Sequence, residues 1–191
     1  MNILNVTTIT EWRGGDAQMY TIYNLLKDKT DLKQYILCPQ KSVLEQYCMG
    51  DQASYFTYVK NRFKLMMCVK EIIKICKTKK IDLLHLHDSS ALNAGLIAKL
   101  FLPKGTKVIF SRKRNNQIKD KFLNRFKYSH PYILKIISVS NAVQKIFDNI
   151  IKDKSRLLTI YDAIDVKKVV AIKNTNILHK EFMLTNNTKI I

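Results

Sequence analysis

Two histidines one residue apart, in the stretch LLHLHDSS at residues 83–90, are the most concentrated reactive chemistry in this chain of 191 residues. Successive side chains of an extended strand point to opposite faces, so His85 and His87 share one face and Leu84 and Leu86 the other. With Asp88 directly behind, the pair suits hydrogen bonding to a polar ligand; the alternative is a structural histidine that satisfies a buried carbonyl. A metal ion would need a third ligand, and the neighbouring sequence offers none. No metal and no cofactor are expected.

The stretch EWRGGDAQMY, residues 11–20, places two of only five glycines side by side. Glycine lets a backbone come close to a ligand, and the N–H groups and dipole of a helix N-terminus attract anions. Gly14, Gly15 and Asp16 are therefore candidates to approach a phosphate or sugar. The alternative is a tight βα turn with Asp16 as N-cap. The spacing is not G-x-G-x-x-G, which excludes the dinucleotide fingerprint.

A third stretch, KVIFSRKRNNQIKDKFLNRFKYS at residues 107–129, opens as a strand and turns strongly basic. Arg112, Lys113 and Arg114 emerge at the strand's end, and guanidinium groups bind phosphate in bidentate fashion. Further on, Lys119, Lys121, Arg125 and Lys127 alternate with Phe122, Phe126 and Tyr128. That is the pattern of an amphipathic surface at a membrane interface; a solvated helix is the alternative.

These groups need elements to hold them. Short apolar runs alternate with longer segments of helical period, the mark of βα units feeding a parallel sheet. The runs predict strands near residues 2–8, 34–38, 54–58, 82–87, 107–111, 135–139 and 157–160. Helices are expected from Asp16 to about Asp28 with Met19, Ile22, Tyr23 and Leu26 inward. A second spans residues 61–79, with Phe63, Met66, Met67, Val69, Lys70, Ile73 and Cys76 along one face. A third runs from Ser90 to Phe101, and a fourth begins near Ser140 or Asn141, with Gln144 placed to reach back to its cap. The fold class is α/β: a Rossmann-like, doubly wound, mostly parallel sheet flanked by helices. Ligands then sit beyond the carboxyl ends of the strands.

Composition bounds the rest. The formal net charge of +18, from 33 Lys and Arg against 15 Asp and Glu, draws the chain to polyanions: nucleic acid, an anionic membrane surface or a phosphorylated substrate. A hydrophobic content of 47% sustains a core. No apolar run approaches the roughly 20 residues that span a bilayer, and MNILNVTT lacks the plan of a signal peptide, so a cytoplasmic location is expected. Cys38, Cys48, Cys68 and Cys76 form no C-x-x-C pair and read as buried thiols.

Taken in order, WRGGDAQ ending at residue 18, IDLLHLHDSSALNAGLIAKL at 81–100, KVIFSRKRN at 107–115, IISVSNAVQKIF at 136–147 and LLTIYDAID at 157–165 resemble the N-terminal half of the retaining family 4 glycosyltransferases of the GT-B fold. The resemblance covers almost the whole chain and rests on the ordered set of motifs. It implies an acceptor-binding domain over residues 1–165, with 166–191 a linker and the start of a second, donor-binding domain that the 191 residues do not include. It also implies sugar transfer from a nucleotide-sugar to a glycan or lipid-linked acceptor, such as that of a lipopolysaccharide or surface polysaccharide, and no activity without the donor domain. Gly14, Gly15 and Asp16 would approach the donor diphosphate and sugar. His87 and Asp88 would help form the acceptor pocket, together with Ser111, Arg112 and Arg114.

Two departures from the family pattern stand out. Many relatives carry a histidine after the fifth strand, where this chain has Ser111 and Arg112, as in the "sRR" variant of bacterial surface-polysaccharide enzymes. Asp162 and Ala163 replace the usual Asn and Gly at the crossing to the second domain. The +18 charge then fits peripheral contact with an anionic membrane on its cytoplasmic side, through residues 61–80 and 112–128. A competing reading is a basic α/β module for nucleic acid or another polyanion; no nucleic-acid motif accompanies the charge, so nucleic acid is not an expected partner.

Overall fold

The computed structural model describes residues 1–162, 166, 170, 176–185 and 187–189. Seven strands form one sheet: β1 (Asn2–Val6), β2 (Lys33–Pro39), β3 (Tyr55–Tyr58), β4 (Leu83–Leu86), β5 (Lys107–Arg112), β6 (Ile133–Ser138) and β7 (Leu157–Thr159). Every pairing is parallel and the order is β3-β2-β1-β4-β5-β6-β7. The helices are α1 (Gly14–Leu26), α2 (Val43–Gly50), α3 (Lys64–Thr78), α4 (Ser89–Lys99), α5 (Phe122–Tyr128), α6 (Asn141–Lys145) and α7 (Ile177–Glu181). This is the predicted Rossmann-like architecture, and all seven predicted strands are present.

The strands' alternation separates two apolar layers. Leu4, Val6, Leu37, Leu84, Leu86, Val108 and Phe110 face α3 and α4 in the larger cluster, whereas Ile36 and Cys38 join Met19, Tyr20 and Tyr23 of α1 and Leu44 and Cys48 of α2 in the smaller. Across β1, β4 and β5 this second face turns polar, through Asn5, His85, His87 and Ser111. The four cysteines are free and buried, and burial pushes each thiol up to about 12.

Several local expectations are corrected. The first helix begins at Gly14, not Asp16, so both glycines lie inside its first turn, after Arg13 as N-cap. Ile22 is exposed, and Tyr20 takes the inward place beside Met19 and Tyr23. On α3 the buried stripe is Cys68, Val69, Ile72, Ile75 and Cys76, while Phe63 and Met66 face outward. The two cysteines act as small apolar residues in that stripe, which packs on the alanine-rich α4. Helix α4, expected from Ser90 to Phe101, is capped by Asp88 and ends at Lys99. Of the two expected starts of α6, Ser140 is the cap, as one of the alternatives had it. Gln144 does not reach back but accepts from Thr159 Oγ1 of β7 (2.7 Å).

Helix α2, absent from the expectations, is announced by a cap its sequence spells out: Ser42 Oγ accepts from Glu45 N (3.2 Å), and the Glu45 carboxylate accepts from Lys41 N. The expected passage into a second domain falls partly on Ala163, Ile164, Asp165 and the final residues, which lie outside the described residues.

Candidate functional site

In this strand order β2 lies on one side of β1 and β4 on the other, so the chain's path reverses between β1 and β4, and their carboxyl ends leave a crevice. A cleft of about 490 Å³ opens there. Its lining brings together Gly14, Gly15, Asp16, His87, Asp88, Ser111, Arg112 and Arg114, and adds Arg13, Lys113, Asn116 and Asp162.

The floor is the polar face of the sheet. His85 and His87, on one face as alternation requires, lie with ring centroids 3.9 Å apart. His85 Nε2 is 2.7 Å from Ser111 Oγ, and His87 Nε2 is 3.1 Å from Asn5 Oδ1. An amide oxygen only accepts, so His87 donates through Nε2 and keeps a lone pair on Nδ1. That Nδ1 is buried and has no hydrogen-bond partner among the described residues. Burial keeps both rings neutral, with the charge of Lys113 acting on both and that of His85 on His87 as well: His85 is pushed down to about 3 and His87 well below the usual histidine range.

Asp88 does not point a free carboxylate at the cleft. Its oxygens accept from Ser90 N and Ala91 N (2.9 Å each), from Thr8 N (2.6 Å) and from Thr8 Oγ1 (2.7 Å). It caps α4 and clasps the β1 loop to the β4 loop across the crevice. Asp16 is also buried, accepting from Thr7 Oγ1 (2.8 Å). Burial, and then the charge of Asp88, raise its proton affinity.

Neither glycine of the pair adopts positive φ. A Cβ on Gly14 would meet nothing, whereas one on Gly15 would lie 3.1 Å from Lys113 Cδ. Lys113 therefore lies across the first turn of α1, with Nζ donating to Gly15 O (2.8 Å). Burial pushes its ammonium down to about 8, against the opposing pull of Asp162 and Asp16. The cleft lining thus holds a buried carboxylate of raised proton affinity and a lysine whose pKa, pushed down to about 8, suits it to proton handling near neutral pH.

The basic stretch divides. Arg112 holds the loop's own backbone, donating to Arg114 O (3.0 Å) and Asn116 O (2.7 Å). Lys127 turns inward to Ser89 O (2.7 Å) and Oγ (2.6 Å), and burial pushes it down to about 8. Arg125 pairs with Asp120 through two contacts of 2.5 and 2.6 Å. Lys119 and Lys121 are exposed, beside Phe122 (80% exposed), Leu123 (76%) and Phe126 (61%). No helix among the described residues is long and apolar enough to cross a membrane.

Sequence reasoning named Lys113 only as a member of the basic run and Asp162 only as a departure from the family pattern, and it did not point to Arg13 or the Thr7–Thr8 loop. Position after β1, β5 and β7 was the available signal for all of them.

No family model matches the chain. A protein of Klebsiella pneumoniae described as an uncharacterized 41.2 kDa protein in the cps region is 30% identical over 115 residues, which cover 58% of this chain and 30% of that protein. Among solved structures, Anabaena Alr3699/HepE in complex with UDP-glucose superimposes with a TM-score of 0.74 at 13% identity, over 98% of this chain and 51% of its own. A glycosyltransferase from Rickettsia africae gives 0.75 at 17% identity, over 97% and 50%. The UDP-N-acetylglucosamine 2-epimerase of Rickettsia bellii gives 0.65 at 9% identity, over 97% and 52%. The chain thus has a glycosyltransferase-like fold, shared with an epimerase, and spans about half the length of these solved structures and less than a third of the Klebsiella protein.

Proposed function

We propose that residues 1–165 are the acceptor-binding domain of a retaining glycosyltransferase of the family 4 type, and that 166–191 lead into a donor-binding domain without which the chain is inactive. The observation that carries this reading is the buried Nδ1 of a neutral His87 at the cleft wall, which has no hydrogen-bond partner among the described residues. A lone pair held in that state suits a hydroxyl donor, the group a sugar acceptor presents in abundance. UDP-glucose in the HepE structure supports a nucleotide-sugar as donor.

In this scheme the bond between the donor sugar and its diphosphate breaks as the acceptor oxygen forms a new one, and the acceptor hydroxyl gives up its proton. The first turn of α1, at Gly14 and Gly15, faces the departing diphosphate with N–H groups and the positive end of the helix dipole. His87 and Ser111 orient the acceptor; Asp88 positions the loops around it; Arg114 and Arg13 offer charge at the rim. Asp16 and Lys113 stand ready to take up or return a proton.

We also propose a lipid-linked or surface-polysaccharide acceptor, reached by peripheral contact with the cytoplasmic face of an anionic membrane. The exposed Phe122, Leu123 and Phe126 beside Lys119 and Lys121 support this. The test is transfer of radiolabelled sugar from a panel of nucleotide-sugars to membrane-derived glycolipid by the product of the native gene. Transfer is expected; failure with every donor, alongside salt-sensitive RNA binding, would favour the polyanion-binding reading.

A further inference from the structure

Trp12, the chain's single tryptophan, is not a core residue. It sits in the loop between β1 and α1, next to the cleft-lining Arg13, and is 37% exposed. Its indole stacks on Tyr47 of α2, with centroids 4.3 Å apart and planes at 26°, and meets Tyr20 edge-on at 6.3 Å. Tyr47 is itself 47% exposed. The pair is anchored from below: Tyr20 is buried, stacks on Tyr23 at 6.1 Å, and holds its hydroxyl 2.6 Å from Asp51 Oδ2 and 3.0 Å from Tyr47 O. Glu11 and Arg13, paired at 2.9 Å and largely exposed, flank the indole along the chain.

Two large aromatic rings locked together and left in solvent form a rigid, amphipathic platform. The C–H face of a pyranose packs on such a ring, whose face carries partial negative charge, while the sugar's hydroxyls need polar neighbours at the rim. Glu11 and Arg13 supply them. Arg13, which lines the cleft, directly follows Trp12 in the chain, so the platform adjoins the cleft.

We propose that Trp12 and Tyr47 form a sugar-stacking subsite, which holds a hexopyranose residue of the acceptor glycan behind the residue bound in the cleft. This rests on the acceptor-binding reading above. Because Trp12 is the only indole, the chain's tryptophan emission reports on this locus alone. Maltohexaose, cellohexaose and β-1,4-galactohexaose are titrated into the protein while the imidazole resonances of His87 are followed by NMR.

At least one hexasaccharide is expected to shift the emission saturably. Tyr47→Ala should weaken that binding roughly fivefold. Three results would overturn the subsite: emission unmoved by all three sugars, Tyr47→Ala binding as well as wild type, or uridine shifting the emission where the hexasaccharides do not. If His87 responds while Trp12 does not, the platform alone fails. If neither responds, the acceptor-binding reading fails with it.

Discussion

Lys113 Nζ lies 2.8 Å from the carbonyl oxygen of Gly15, and its Cδ lies 3.1 Å from where a Gly15 Cβ would be. The missing side chain at residue 15 is thus matched to a particular lysine on β5's following loop, whereas Gly14 has open space around it.

The two glycines should therefore respond differently to alanine. Gly14→Ala is expected to be neutral or stabilising by up to about 1 kcal/mol, since alanine is the better helix former. Gly15→Ala displaces Lys113 and is expected to lose about 1 kcal/mol. That loss should largely disappear in a Lys113→Ala background, as a double-mutant cycle on urea unfolding would measure. Equal effects at both glycines would contradict the packing.

Acid should weaken the fold through the histidine pair. His85 and His87 are held neutral in the folded state, with pKa values below those of the unfolded chain. The unfolded state therefore binds more protons below about pH 6.5, and stability falls as pH drops from there towards the folded values. The expected slope is roughly 1.4 kcal/mol per pH unit for each histidine. Urea unfolding between pH 7 and 4.5 tests this, with His85→Gln expected to remove one histidine's share of the slope.

The thiols should be silent in the native protein. All four are buried, with pKa values pushed up to about 12, and it is the thiolate that reacts. Ellman's reagent is expected to titrate almost nothing before unfolding and all four groups in guanidinium. A thiol that reacts within seconds in buffer would show that the strand or helix carrying it is misplaced.

Membrane contact should depend on Lys119 and Lys121 and not on Lys127, whose ammonium is bound to Ser89. Each basic residue near an anionic surface contributes about 1 kcal/mol. Lys119→Glu with Lys121→Glu is therefore expected to lower partitioning onto phosphatidylglycerol vesicles at least about tenfold. Phe122→Ala with Phe126→Ala should lower it too, whereas Lys127→Gln should not. Unchanged sedimentation with vesicles for the charge-reversed protein would dismiss the surface.

How much of this was legible depends on how local the cause is. The strands were readable because runs such as KVIF and LLHL carry their own alternation, and that alternation places His85 and His87 on one face. Strand order then locates the crevice without any knowledge of side-chain contacts. The start of α1 was misread because Asp16 has the composition of a cap, yet its carboxylate turns inward to Thr7. The buried face of α3 was misread because Phe63 and Met66 were weighed as core and Cys68 was left out. Asp88 resembled a ligand-binding carboxylate, and only the approach of Thr8 from the loop after β1 shows its oxygens already engaged. Lys113 meets Gly15 across 98 positions of sequence, a distance that no motif bridges.

The central claim is that the cleft binds an acceptor hydroxyl at His87. The most direct measurement is steady-state transfer by the native gene product and its His87→Ala variant, with folding of the variant checked by its unfolding transition and each substrate varied in turn. The account predicts an acceptor KM raised at least about tenfold, the consequence of an unmade buried hydrogen bond, with the donor KM unchanged. An unchanged acceptor KM, or a change confined to the donor, would contradict it.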